Sequence, residues 1–192
     1  EERKAEVIRL IDEQGKLTDE ITAAVEKAQT LTELEDIYRP YRPKRKTRAS
    51  VAREKGLEPL SQLIRGQEFQ GDIMEEAAKY IDAEKGVETA DDAVAGALDI
   101  IAEDISDNAD YRKKIRRITY MNGIITSKQG KEENPVYQMY YEYSEPVKAV
   151  ADHRILAMDR GEKEGVLSVK IDVESELITD YIYKEVITND NT

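Results

Sequence analysis

TADDAVAGALDIIAEDIS, residues 89–106, is the most regular stretch of this 192-residue chain. Ala90, Ala93, Val94, Ala97, Leu98, Ile101 and Ile105 recur at intervals of three and four, the spacing of one helical face. Thr89 precedes the first periodic residue and carries the side-chain oxygen that suits a helix N-cap. The spacing predicts a long helix here. A second is predicted over about 108–122, with Tyr111, Ile115 and Ile118 turned inward. These two helices make the expected fold class mainly α.

Working towards the N-terminus, residues 1–38 read as three short helices. Val7, Leu10 and Ile11 share a face of the first, Thr18 is a cap for the second, and Thr32 and Glu35 have capping-box spacing in the third. Pro59 suits the first turn of a helix running to Ile64, and a further helix is predicted over 71–82. Towards the C-terminus, 127–135 (SKQGKEENP) reads as a polar loop and an internal boundary. Beyond it, Leu167, Val169, Ile171 and Val173 alternate with Ser168, Lys170 and Asp172. That period of two predicts a small β element near 166–173. The expected organisation is a helical lobe over 1–88, long central helices over 89–126 and a C-terminal segment over 136–192.

The composition bounds the function. Apolar residues make up 40% of the chain and charged residues 36%, with no cysteine and a formal net charge of −12. Disulfides, thiolate metal sites and cysteine nucleophiles are excluded. No apolar run approaches the roughly 20 residues that cross a bilayer, so no membrane association is expected. These features point to a cytoplasmic protein. His153 is the only histidine, which excludes a multi-histidine metal site and a histidine relay. Asp104, Ser106, Asn108 and Asp110 imitate the opening of a calcium loop, but Ala109 and Ile115 stand where Gly and Glu are required. No phosphate-binding glycine loop or nucleophile elbow occurs. The chain is therefore expected to have no catalytic residues, bind no metal or cofactor, and not to be an enzyme.

Charge is concentrated in one place. Residues 1–36 carry a net −6, residues 37–55 a net +7, and the remainder −13. The basic stretch is YRPYRPKRKTRASVAR, residues 38–53, with Arg39, Arg42, Lys44, Arg45, Lys46, Arg48 and Arg53 interleaved with Tyr38 and Tyr41. Pro40 and Pro43 forbid a continuous helix. Two readings stand side by side. The arginines form a contact surface for phosphate or for an acidic protein face, or they pair with the chain's own surplus carboxylates and pin the segment down. A second basic cluster, Arg112, Lys113, Lys114, Arg116 and Arg117, spreads around a helix and reads as a solvated face.

At this point the sequence resembles a known family. LTELEDIYRPYRPKRKTRASVAREKGLEPL (31–60) resembles the signature stretch of the Tex, or YhgF, family of bacterial transcription accessory proteins. EERKAEVIRLIDEQGKLT (1–18), ADDAVAGALDIIAEDIS (90–106), YYEYSEPVKAV (140–150) and HRILAMDRGEKEGVLSVKI (153–171) match the same family in order. The resemblance implies a longer protein with an RNase H-like YqgF domain, helix-hairpin-helix elements and a C-terminal OB-fold RNA-binding domain. This chain would be its N-terminal helical region, leading towards the YqgF domain. The implied partners are nucleic acid (RNA or DNA) bound through the full-length protein, the transcription machinery, and the rest of its own polypeptide. The resemblance itself assigns few contacts to this region, since the family's best-attested nucleic-acid contacts belong to its C-terminal domain. The candidate nucleic-acid or partner contacts read from the residues are Arg39, Tyr41, Arg42, Lys44, Arg45, Lys46, Arg48 and Arg53 of the basic segment, with Arg154 and Arg160 of the last matching stretch.

Overall fold

The computed structural model describes residues 1–43 and 45–189. It is mainly α with one small sheet and divides into two units. The first comprises residues 1–112 together with the C-terminal residues from 186; the second comprises 113–185. The division falls inside a helix, between Arg112 and Lys113.

In the first unit, α1 (Glu2–Asp12), α2 (Asp19–Lys27) and α3 (Leu31–Tyr38) close a small core of Val7, Ile11, Val25, Ala28, Leu34 and Tyr38. Thr18 caps α2, and Thr30 rather than Thr32 caps α3 by accepting from the Glu33 amide. A 3-10 turn over Arg39–Tyr41 follows directly. A second core is built around α7 (Ala90–Asp107), on which α4 (Arg48–Glu54), α5 (Glu58–Gly66) and α6 (Ile73–Ala78) all pack. Ala49, Ala52, Leu57, Leu60, Val87, Ala93, Ala97 and Ile100 are buried there.

The buried face of α7 is rotated from the one its periodicity predicts. Leu98 is 49% exposed, whereas Ile100 is fully buried. The cause lies in small residues: α4 presents Ala49 and Ala52 to α7, and a Cβ on Gly96 would stand 2.4 Å from the buried Leu57 side chain and 3.4 Å from Ala52. Close approach at Gly96 selects the face of Ala93, Gly96, Ala97 and Ile100. Thr89 caps α7 as the sequence predicts, in a capping box with Asp92.

The C-terminal residues rejoin the first unit at Gln67, a buried residue held at φ +53°. Its Nε2 donates to the Val186 carbonyl at 2.7 Å, and its Oε1 accepts from the amides of Thr188 (2.9 Å) and Asn189 (3.2 Å). An amide side chain there does the work of a strand backbone, donating and accepting at once.

The second unit contains the C-terminal part of α8 (Ala109–Asn122), then β1 (Ile124–Gln129), β2 (Glu142–Pro146), α9 (Asp152–Lys163), β3 (Leu167–Asp172) and most of α10 (Ser175–Val186). The sheet runs β2–β1–β3 with both pairings antiparallel; Ile125 lies opposite Glu145 on one side and Ile171 on the other. The predicted strand is β3. The stretch expected to start as a loop at 127 instead continues β1 to Gln129. Ile125, Tyr137, Tyr140, Val150, Met158, Val166 and Leu167 form the core. Gly161 lies within α9, and a Cβ there would meet Leu167 at 2.7 Å and Tyr137 at 3.0 Å.

Candidate interaction site

The basic segment is positioned by the helices on either side of it. Thr47 and Ser50 form a reciprocal capping box at the start of α4: Thr47 Oγ1 accepts from the Ser50 amide at 3.0 Å, and Ser50 Oγ accepts from the Thr47 amide at 2.8 Å. The Ala49–Ala52–Gly96 seam then holds α4 tightly on α7, whose second half carries Asp99, Glu103, Asp104 and Asp107. Cations of α4 and of the segment before it therefore lie beside a row of carboxylates.

Most of the arginines use that row. Arg53 reaches Glu103 at 2.7 Å, Asp104 at 2.8 Å and Glu58 at 3.3 Å. Burial works against the Arg53 charge, but the Glu103 hydrogen bond and the three nearby carboxylates outweigh it and raise its pKa. Arg39 Nε donates to Oδ1 of the buried Asp107 at 2.7 Å. Arg42 pairs with Glu35 of α3, which also accepts from Arg3. Both guanidiniums lie over the buried Tyr38 ring, 5.4 Å and 5.7 Å from its centroid for Arg3 and Arg42 respectively. Half-buried Tyr41 packs on the first core, and its carbonyl accepts from Gln14 Nε2 at 2.8 Å.

The outer cations are held loosely or not at all. Arg48 is 3.4 Å from Asp99 with its side chain 88% exposed, and Lys46 only comes within 4.0 Å of Glu54. Arg45 is exposed and has no ion-pair partner among the described residues. Lys44 lies outside the described residues.

Arg154 and Arg160 belong to the second unit, on α9. Arg154 Nη1 donates to Glu145 at 2.9 Å and to the Tyr143 hydroxyl at 3.2 Å, and that hydroxyl in turn donates to Glu145. The Tyr143 hydrogen bond, joined by Arg154, holds the Glu145 carboxyl below its ordinary range, while burial and the Glu145 contact push the Tyr143 phenol up. Arg160 is exposed. Of the second basic cluster, Arg112 Nε donates to the buried Asp36 at 2.7 Å, a structural role that the spread of charge around α8 does not reveal. Among the described residues no group of three or more histidine, aspartate or glutamate side chains is placed to hold a metal ion, and no helix is long and apolar enough to cross a membrane.

Pockets in the first unit follow the segment. A cleft of about 780 Å³ runs past Tyr41, Arg42, Arg45, Thr47, Arg53 and the Glu103–Asp104 pair. A smaller pocket of about 350 Å³ is lined by Arg39, Arg42, Arg45, Thr47, Glu103, Ser106 and Asp107.

A helical unit with a carboxylate-braced arginine segment, joined in sequence to a small three-stranded unit, is the class of protein that this geometry defines. The chain belongs to the Tex family: residues 69–190 match the family model described as Tex central region-like. It is 48% identical over 195 residues to the uncharacterized protein YdcI of Bacillus subtilis, covering 100% of this chain and 27% of that protein. It is 38% identical over 174 residues to the transcriptional accessory protein Tex of Neisseria gonorrhoeae, covering 89% of this chain and 23% of the relative. A human relative, S1 RNA-binding domain-containing protein 1, is 28% identical over 177 residues, 86% of this chain and 17% of that protein. The chain thus spans about a quarter of the length of the bacterial relatives it matches.

Proposed function

We propose that this chain is a non-catalytic, N-terminal scaffold and interaction region of a Tex-like transcription accessory, nucleic-acid-binding protein. The observation that carries the reading is the internal use of the basic segment. Arg39, Arg42 and Arg53 are bound to Asp107, Glu35 and the Glu103–Asp104 pair of the same unit. A segment whose inner arginines brace its own fold works as a strap, and what it offers to a partner is its outer edge. The names of the relatives support the wider role, since one is a transcriptional accessory protein and another an S1 RNA-binding protein. With a net −12, the chain repels a phosphate backbone at long range.

A second reading, a direct nucleic-acid-binding module acting through 39–53, is favoured by the exposure of Arg45, Lys46 and Arg48. Filter binding of duplex DNA and single-stranded RNA over a salt series separates the two. At 0.15 M salt the scaffold reading expects a dissociation constant no tighter than about 10 µM, the non-specific range. Sub-micromolar binding, lost with steep salt dependence, would establish the module instead.

A further inference from the structure

We infer that the pocket at Arg45 is a binding site for one phosphate group carried by a flat ring, that is, for a single nucleotide unit. The first argument is charge accounting within the pocket. Its two carboxylates already have arginines, Asp107 with Arg39 and Glu103 with Arg53. Arg42 is held by Glu35 from outside the pocket. Arg45 alone is left without a counter-charge among the described residues, and it lines both the small pocket and the larger cleft. The wall therefore lacks one anion.

The donor arrangement says which anion. Arg45 offers a guanidinium fork, and Arg42 keeps a half-exposed edge beside it. The Thr47 oxygen accepts from the Ser50 amide, which leaves its hydroxyl proton to donate. Donors from three residues line one volume. A planar carboxylate uses one fork, whereas a tetrahedral phosphate can take all three. The larger cleft continues past Tyr41, Pro40 and Pro43. Tyr41 packs on the core and also lines this cleft, giving a base or other flat ring something to lie against. A volume of about 780 Å³ is in the range of small-molecule sites. One uncompensated arginine in a pocket defines a single phosphate position. A strand would need cations repeated along a surface, so this inference goes beyond the scaffold reading and does not depend on strand binding.

The test is calorimetric titration of the chain with adenosine 5′-monophosphate, ribose 5-phosphate, inorganic phosphate and a short glutamate-rich peptide at 0.15 M salt. The expected result is saturable binding of the nucleotide at about 1 mM or tighter, with ribose 5-phosphate and phosphate weaker in that order. Arg45→Ala, which removes no ion pair, should weaken nucleotide binding at least about tenfold, as expected for a charge-assisted phosphate contact. Lys46→Ala with Arg48→Ala should leave it within about twofold. Circular dichroism of each variant confirms that it is folded. No saturable binding of any phosphate, an equal loss in both variants, or tighter binding of the glutamate peptide than of the nucleotide would overturn the inference. Equal binding of ribose 5-phosphate and the nucleotide would overturn the ring contact. None of these outcomes bears on the scaffold reading, which stands or falls with strand binding.

Discussion

Arg39 and Asp107 are 68 residues apart in sequence and meet at 2.7 Å, joining the turn after α3 to the last residue of α7. Asp107 is 6% exposed, so its charge needs a partner. The contact links the core of the N-terminal helices to the core around α7 inside one unit, and Arg112 with Asp36 makes the same link a second time. Two buried aspartates each have an arginine from the other side. The basic segment thus carries an architectural load before it meets any partner.

Inner and outer cations should separate cleanly in stability measurements. Arg53→Ala removes the guanidinium shared by Glu58, Glu103 and Asp104 and should lower the unfolding free energy by about 1.5–3 kcal/mol, the range for hydrogen bonds to charged groups. Arg45→Ala should stay within about 0.5 kcal/mol, as exposed substitutions do. Urea denaturation followed by circular dichroism reads both.

The seam between α4 and α7 has no room for a branched side chain. Gly96→Val places its Cβ 2.4 Å from the buried Leu57 methyl and should cost about 1–3 kcal/mol by overpacking. Because α4 carries Arg48 and Arg53, the same variant should also expose the segment to trypsin. A thermal midpoint and a cleavage rate equal to those of the parent chain would contradict this packing.

In the second unit the Ser127 hydroxyl is buried with no hydrogen-bond partner among the described residues. Removing it takes away a desolvation penalty of about 1–3 kcal/mol at the cost of a small void. Ser127→Ala should therefore raise the thermal midpoint or leave it unchanged, unlike most core truncations.

Acid should weaken the second unit through Glu145. Its folded carboxyl titrates below its ordinary range because of the Tyr143 hydroxyl and Arg154. The unfolded chain then binds the proton more readily, so the stabilisation is complete above about pH 4.3 and is lost as pH falls through the folded value. Glu145→Gln should flatten the acid limb of a stability–pH curve. An unchanged limb would show that this cluster does not contribute.

Much of the fold was legible because its signals are local. The caps at Thr18 and Thr89, Pro59 at the start of α5, and the alternation of β3 all depend on residues within a few positions of one another. β1 and β2 gave no such signal. In β1 the inward position after Ile125 is Ser127, and β2 alternates Tyr143 and Glu145 with Glu142, Ser144 and Pro146, so neither shows apolar alternation. α10 was not predicted, although Leu177, Ile178, Tyr181 and Ile182 recur at helical spacing. The rotation of α7 towards Ile100 depends on how closely α4 approaches, which periodicity in a single helix does not encode. The candidate site was visible as a concentration of charge. Which arginines are braced and which are open was not, because the pairings span from 5 residues (Arg53–Glu58) to 68 (Arg39–Asp107) and depend on the packing of separate helices.

The central claim, that the basic segment is a strap bound to the chain's own carboxylates, is tested most directly by a double-mutant cycle on Arg39 and Asp107. Unfolding free energies of the parent chain, Arg39→Ala, Asp107→Ala and the double variant give the coupling free of effects that each substitution has alone. A coupling of about 1–3 kcal/mol, with the double variant little worse than Asp107→Ala, is the predicted result. A coupling near zero, with the two effects simply adding, would contradict the account and leave Arg39 as a surface cation available to a partner.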